Sequence, residues 1–135
     1  MSIKHTSHAR YDLLYHFAWG TKYRKHIWSN TQTKEKVIAI FRTIADQYDI
    51  TMGEAKCLSD HVHFVVGAPP RITPAHIVQI LKSLSTKMLF KEYPWLKQHY
   101  WGGEVWVTGY FVKSIGQGLT KEQIERYVRE QSEEF

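Results

Sequence analysis

Two stretches of helical periodicity, each set between segments patterned as strands, constrain this chain more than any other feature. In residues 33–48 the side chains of Val37, Ile40, Phe41, Ile44, Ala45 and Tyr48 recur at the spacing of an amphipathic helix with one buried stripe. A second helix is predicted over residues 74–91, with Pro74 in its first turn and Ile77, Ile80, Leu81, Leu84 and Met88 as its apolar stripe. Lys82, Ser83, Thr86 and Lys87 fall off that stripe. The β-branched and aromatic segments 11–20, 50–58, 61–66 and 105–115 read as strands, and the Ser59-Asp60 turn makes a hairpin of the middle pair. Gly116-Gln117-Gly118 ends the last strand, and Thr120 with Gln123 three residues on is a capping box opening a final helix.

The resulting order is strand, helix, strand, strand, helix, strand, helix. It predicts an α+β ferredoxin-like sandwich, an antiparallel sheet with two helices on one face, plus an extra C-terminal helix. No repeat, low-complexity tract or long linker interrupts the chain, so residues 1–135 are expected to form one domain. The single cysteine, Cys57, excludes an intramolecular disulfide and agrees with a reducing cytoplasm. No run is long enough to span a membrane, and the N-terminus lacks the apolar stretch of a signal peptide, so an intracellular protein is expected.

Lys and Arg number 18 against 13 Asp and Glu, a formal net charge of +5 that attracts phosphate backbones. The distribution says more than the total. Acid collects at the C-terminus (Glu130, Glu133, Glu134), whereas Lys82, Lys87, Lys91 and Lys97 in the middle are interrupted only by Glu92.

The segment His61-Val62-His63-Phe64-Val65-Val66 carries the sharpest chemistry. Strand side chains alternate, so His61 and His63 project from one face while Val62, Phe64 and Val66 project from the other. If the apolar set meets the two helices, the histidines stand on the open face of the sheet. Such a pair can converge on one cation, but from the spacing alone solvent-facing strand residues are the favoured reading. Adding Cys57 suggests zinc, but the set lacks an obvious fourth protein ligand, which argues against a structural zinc site.

On the last predicted helix, Tyr127 and Gln131 lie four residues apart and share a face. Taken alone they also describe a helix anchored by Ile124, Tyr127 and Val128 with Gln131 solvated. A phenol attacks at neutral pH only with a base, cation or metal nearby.

Taken together and in order, five segments resemble the small single-tyrosine HUH transposases of the insertion-sequence 200/605 type. They are Thr21-Lys22-Tyr23-Arg24, Ser59-Asp60-His61-Val62-His63-Phe64, Leu81-Lys82-Ser83-Leu84-Ser85, the run Val105-Trp106-Val107-Thr108-Gly109-Tyr110-Phe111-Val112, and Tyr127-Val128-Arg129-Glu130-Gln131. The resemblance covers nearly the whole chain. It implies that His61, His63 and Gln131 hold a divalent metal, Mg²⁺ or Mn²⁺, and that Tyr127 is the nucleophile carried by the extra helix. It further implies a prokaryotic homodimer in which the tyrosine helix of one subunit can complete its own site or that of the other, acting on hairpin-bearing single-stranded DNA through a 5′-phosphotyrosine. For DNA contact the expected residues are Lys22, Tyr23, Arg24, Lys25, Lys82 and Lys87, with Tyr23 stacking on a base. The Gly116-Gln117-Gly118 linker suits either a hinge for that helix or an ordinary turn.

Three other readings compete. One is a non-catalytic module binding single-stranded or hairpin nucleic acid, indifferent to chelators and to Tyr127→Phe. The second is a domesticated relative that keeps the nuclease without moving an element. The third is a metal-dependent phosphodiesterase that uses water and forms no adduct.

Overall fold

A computed structural model describes residues 4–5 and 10–115. The expected final helix with Tyr127 and Gln131, its capping box and the Gly116-Gln117-Gly118 linker lie outside the described residues. In chain order the elements are β1 (Lys4–His5), β2 (Arg10–Tyr11), β3 (Leu14–Gly20), a 3-10 turn (Lys22–Arg24), α1 (Thr31–Gln47), β4 (Thr51–Cys57), β5 (His61–Gly67), α2 (Pro74–Glu92), α3 (Leu96–His99) and β6 (Phe111–Ser114). β1 and β2 form a small antiparallel pair, and the main sheet runs β4-β5-β3-β6 with every neighbouring pair antiparallel. Consecutive strands flank each helix, and β3 and β5 take the centre, which is the ferredoxin-like arrangement the element order predicts.

Both long helices begin where capping chemistry allows. The Asn30 side chain accepts from the Thr33 backbone N–H, and that of Thr73 accepts from His76 ahead of Pro74, satisfying donors that the helix leaves unpaired. α1 buries Val37, Ile40, Phe41, Ile44 and Ala45, as its periodicity requires. α2 is rotated from the expected stripe. Ile77, Val78, Leu81, Ser85 and Leu89 are buried, while Ile80, Leu84 and Met88 are only partly so. With apolar residues at nearly half of its positions, periodicity alone does not choose which line meets the sheet.

Tyr15, Phe17 and Trp19 of β3 and Val62, Phe64 and Val66 of β5 face the helices and join one core with them. Its centre is aromatic: Phe41 and Phe64 lie 4.7 Å apart between ring centroids, Trp19 and Phe64 5.2 Å, and Trp28 and Trp106 5.8 Å.

The predicted strand over 105–115 is a correction. Only Phe111–Ser114 forms a strand, while Trp106 bridges Thr21 separately. The five-residue step from Trp106 to Phe111 runs beside the three-residue step from Ala18 to Thr21, so the chain bulges outward in between. The Lys82 ammonium fills this bulge, donating to the carbonyls of Val107, Thr108 and Gly109 at 2.7, 3.1 and 2.8 Å. The short helix α3 follows Pro94 and is pinned by the fully buried Leu96. The strand expected at 11–20 is likewise divided, with Arg10–Tyr11 pairing elsewhere and the sheet strand starting at Leu14.

Candidate active site on the sheet

The hairpin β4–β5 presents His61 and His63 on the face away from α1 and α2, because Val62, Phe64 and Val66 between and beyond them are committed to the core. Across the sheet, Gly20 pairs with His61 and Ala18 with His63, so two small residues lie beside two imidazoles. His61 is 4% exposed and His63 0%, so β5 is buried on both sides. Val65, next along on this face, packs with Leu14 and Ile115.

The two rings sit edge-on with centroids 4.9 Å apart. His61 Nδ1 is 2.7 Å from Asp60 Oδ1, and the other Asp60 oxygen accepts from Arg24 Nε and Nη2 at 3.2 and 3.0 Å. Burial works against the charged form of Asp60, but hydrogen bonds from His61 and Arg24 outweigh it and hold its carboxyl below the usual range. His63 Nδ1 lies 3.3 Å from Nε2 of His16, whose ring stacks on it at 5.5 Å. Burial first, then the neighbouring charges of His61, His16 and Lys56, push His63 down to about 3, and burial with Lys113 pushes His16 down to about 4.

His63 is therefore neutral at physiological pH, the form that ligates a cation. A carboxylate on His61 Nδ1 fixes its proton there and leaves Nε2 as the electron-pair donor, which is how metal-binding histidines are commonly held. The pair thus fits a divalent metal. Among the described residues no three His, Cys, Asp or Glu side chains form a metal-binding group. Cys57 pairs with Val62 on the core face, and burial pushes its thiol up to about 12, away from the ligating thiolate.

The expected DNA-contact residues separate into two groups. The turn following β3 carries Lys22, Tyr23, Arg24 and Lys25, with Tyr23 71% exposed. Tyr23 and Arg24 are left-handed, at φ 63° and 52°, a conformation costing roughly 1–2 kcal/mol per residue. The turn holds them through Thr21 Oγ1 donating to Lys25 O at 2.8 Å and Tyr100 Oη donating to Lys22 O at 2.9 Å. Lys22 pairs with Glu104 at 3.0 Å, and Lys25 lies over both the Tyr23 and Tyr100 rings. Lys87 is exposed and lines a groove with Ser83, Thr86 and Thr108. Lys82 lines the same groove as Lys87, and its three N–H donors go to the 107–109 carbonyls, so it also clasps the fold.

Asp60 and His16 escaped the sequence reading. Asp60 was visible as a turn residue beside His61, but its bond to Arg24 spans 36 residues. His16 shares a face with His63 only once the strand register is known. A cavity of about 410 Å³ lies at the other end of β5, by Gly67, where Asp12, Asp46 and Asp49 make it unsuited to a phosphate ligand.

A ferredoxin-like antiparallel sheet with two adjacent histidines on the face away from its helices is the class of architecture that this fold and site define. Comparison with known proteins makes this specific. The family described as "Transposase IS200 like" matches residues 9–131, and the chain belongs to that family. It is 30% identical over 97% of its length to the transposase for insertion sequence element IS200 of Salmonella typhimurium, covering 84% of that protein. It is 31% identical over 90% of its length to the ISDra2 transposase TnpA of Deinococcus radiodurans, covering 85% of it. Among solved structures, a crystal structure titled as a transposase from Deinococcus radiodurans superimposes with TM-score 0.76 at 32% identity, covering 95% of this chain and 97% of that one. A REP-associated tyrosine transposase bound to a REP hairpin shares the fold, with TM-score 0.57 at 15% identity over 92% of this chain and 68% of that one. Among the described residues no helix is long and apolar enough to cross a membrane.

Proposed function

We propose that this transposase binds hairpins at the ends of an element and cleaves and rejoins single-stranded DNA through a 5′-phosphotyrosine at Tyr127. The observation that carries this reading is the buried His61–His63 pair, with both Nδ1 atoms held by neighbours, in a chain of the IS200-like family. A fold neighbour solved with a REP hairpin supports hairpin DNA as the ligand class.

His61 and His63, with Gln131 as third ligand, would hold Mg²⁺ or Mn²⁺, which when bound polarises the scissile phosphate, an effect worth several kcal/mol. Tyr127 forms the new oxygen–phosphorus bond as the bond from phosphorus to the 3′-oxygen breaks. The phenol gives up its proton, and the departing 3′-oxygen takes one up to become a hydroxyl. Because the phosphoester is conserved on the tyrosine, another 3′-hydroxyl can reverse the step without ATP. The exposed turn of Lys22, Tyr23, Arg24 and Lys25, together with Lys87, would meet the DNA. The working unit is a homodimer in which one subunit's tyrosine helix completes either its own site or its partner's.

A covalent-trapping gel tests the reading. The protein is mixed with single-stranded hairpin DNA from the gene's flanks, with Mg²⁺, Mn²⁺ or EDTA, beside Tyr127→Phe and the double variant His61→Ala/His63→Ala. A metal-dependent, denaturant-resistant adduct in the parent alone is expected. An adduct that persists in Tyr127→Phe moves the nucleophile elsewhere, and tight hairpin binding without any adduct replaces the enzyme with a binding module.

A further inference from the structure

The two imidazoles of the site are each held at Nδ1, by unlike partners that come from different parts of the fold. For His61 the partner is Asp60, at 2.7 Å, itself anchored by Arg24 through its second oxygen. Arg24 reaches Asp60 across Gly20, where an added Cβ would lie 2.7 Å from Arg24 Cδ. A residue without a side chain thus stands where the guanidinium passes. For His63 the partner is His16, one strand away, with Nε2 3.3 Å from His63 Nδ1 and Phe111 edge-on against its ring at 5.6 Å.

A bond between two imidazole nitrogens uses one proton. If His63 is to offer Nε2 to a cation, its proton sits on Nδ1 and is donated to His16 Nε2. His16 then keeps its own proton on Nδ1. The Asp60 carboxylate imposes the same tautomer on His61, since it only accepts. The Asp60 contact fixes which nitrogen His61 presents, and the His16 contact accommodates the same tautomer of His63 when His63 is the donor.

We propose that Asp60 and His16 are the positioning residues of this site: they lock His61 and His63 with the proton on Nδ1, so that Nε2 of each is the metal-binding atom before any metal arrives. This rests on the reading of His61 and His63 as metal ligands. The two supports differ in kind. Asp60 is charged and strengthens His61 as an electron-pair donor, whereas His16 is neutral and chiefly fixes tautomer and ring angle. Arg24, through Asp60, ties the exposed turn beside Tyr23 to the site.

The test uses the full chain with Mn²⁺ alone, followed by calorimetry, and long-range ¹H–¹⁵N spectra of the histidine rings in the metal-free protein. Asp60→Ala and His16→Phe are expected to weaken Mn²⁺ binding by about 10–100-fold, the usual effect of removing an outer partner. Asp60→Asn and His16→Gln, whose amide oxygens still accept the Nδ1 proton, are expected to recover most of it. In the parent spectra both His61 and His63 should carry hydrogen on Nδ1 and none on Nε2. If His61→Ala binds Mn²⁺ as tightly as the parent, the metal-ligand reading itself fails. If His61→Ala abolishes binding while Asp60→Ala and His16→Phe leave it intact, the metal site stands and the positioning role is refuted. The parent spectrum needs no variant to fold: hydrogen on Nε2 of either ring overturns the proposal by itself.

Discussion

Replacing Ser85 with Ala removes one oxygen from the interior and leaves a buried indole N–H without its acceptor. Ser85 is fully buried on α2, where its Oγ accepts from Trp106 Nε1 at 2.9 Å and donates to Lys82 O at 3.1 Å. Trp106 is 4% exposed and packed against Trp19, Trp28 and Phe41, so water cannot take over the bond. An unsatisfied buried donor costs about 1–3 kcal/mol. Against this, alanine improves helix propensity at the position by up to about 0.5 kcal/mol. The net loss should be about 0.5–2.5 kcal/mol, or roughly 2–9 °C in Tm for a chain of this length. Urea denaturation followed by tryptophan fluorescence gives the free energy, with an unchanged slope showing that the unfolded state is unaltered. Ser83→Ala is the control, because Ser83 is exposed on the same helix and bonds only its own backbone. Trp106→Phe, alone and combined with Ser85→Ala, closes a double-mutant cycle whose coupling should be about 1 kcal/mol. If Ser85→Ala matches Ser83→Ala within error, the bond is not holding the 105–107 segment to α2, and the reasoning is refuted.

Other expectations follow from the same structure. Lys82→Met removes the ammonium that lies over the Trp19 ring and strips three carbonyls of their donor, so it should destabilise the fold by about 1–3 kcal/mol while salt-dependent DNA binding in the folded fraction stays at parent strength. Lys87→Glu, exposed and unclasped, should instead leave the melting temperature near the parent value and weaken DNA binding with a shallower salt dependence, measured by fluorescence anisotropy. His63 and His16 are pushed down to about 3 and 4 in the folded protein, below their unfolded value near 6.5, so they favour folding fully above that value. In EDTA the melting temperature should therefore fall as pH drops from 6.5 towards 4. The slope should flatten in His63→Gln.

The periodic parts of the fold were legible because a helix stripe and a strand alternation are local patterns. α1, α2, β4 and β5 lie within a residue or two of the expected bounds for that reason. The bulge at 107–110 was not legible, since only the Lys82 ammonium, 25–27 residues away, explains why a β-rich segment leaves the sheet there. Paired histidines on one face of β5 followed from alternation. Their burial did not, because what packs on the second face of a sheet is a long-range property. His16 illustrates the same limit: a histidine in an aromatic strand acquires meaning only when register sets it beside His63. Lys82 shows the same limit, since its bonds to carbonyls 25–27 residues away are set by tertiary structure and not by its place off an apolar stripe.

Because β5 is covered on both faces, it forfeits the alternating latitude of an ordinary surface strand. A half-exposed strand accepts polar substitutions at every second position, so a mutational scan along it shows a sawtooth. Residues 61–66 are all buried, with Val62, Phe64 and Val66 turned to one interior and His61, His63 and Val65 to the other. A scan of this protein should therefore show a plateau of intolerance six positions wide. Within it, stability assays should single out the odd set less than the even set, while metal binding should respond chiefly to positions 61 and 63.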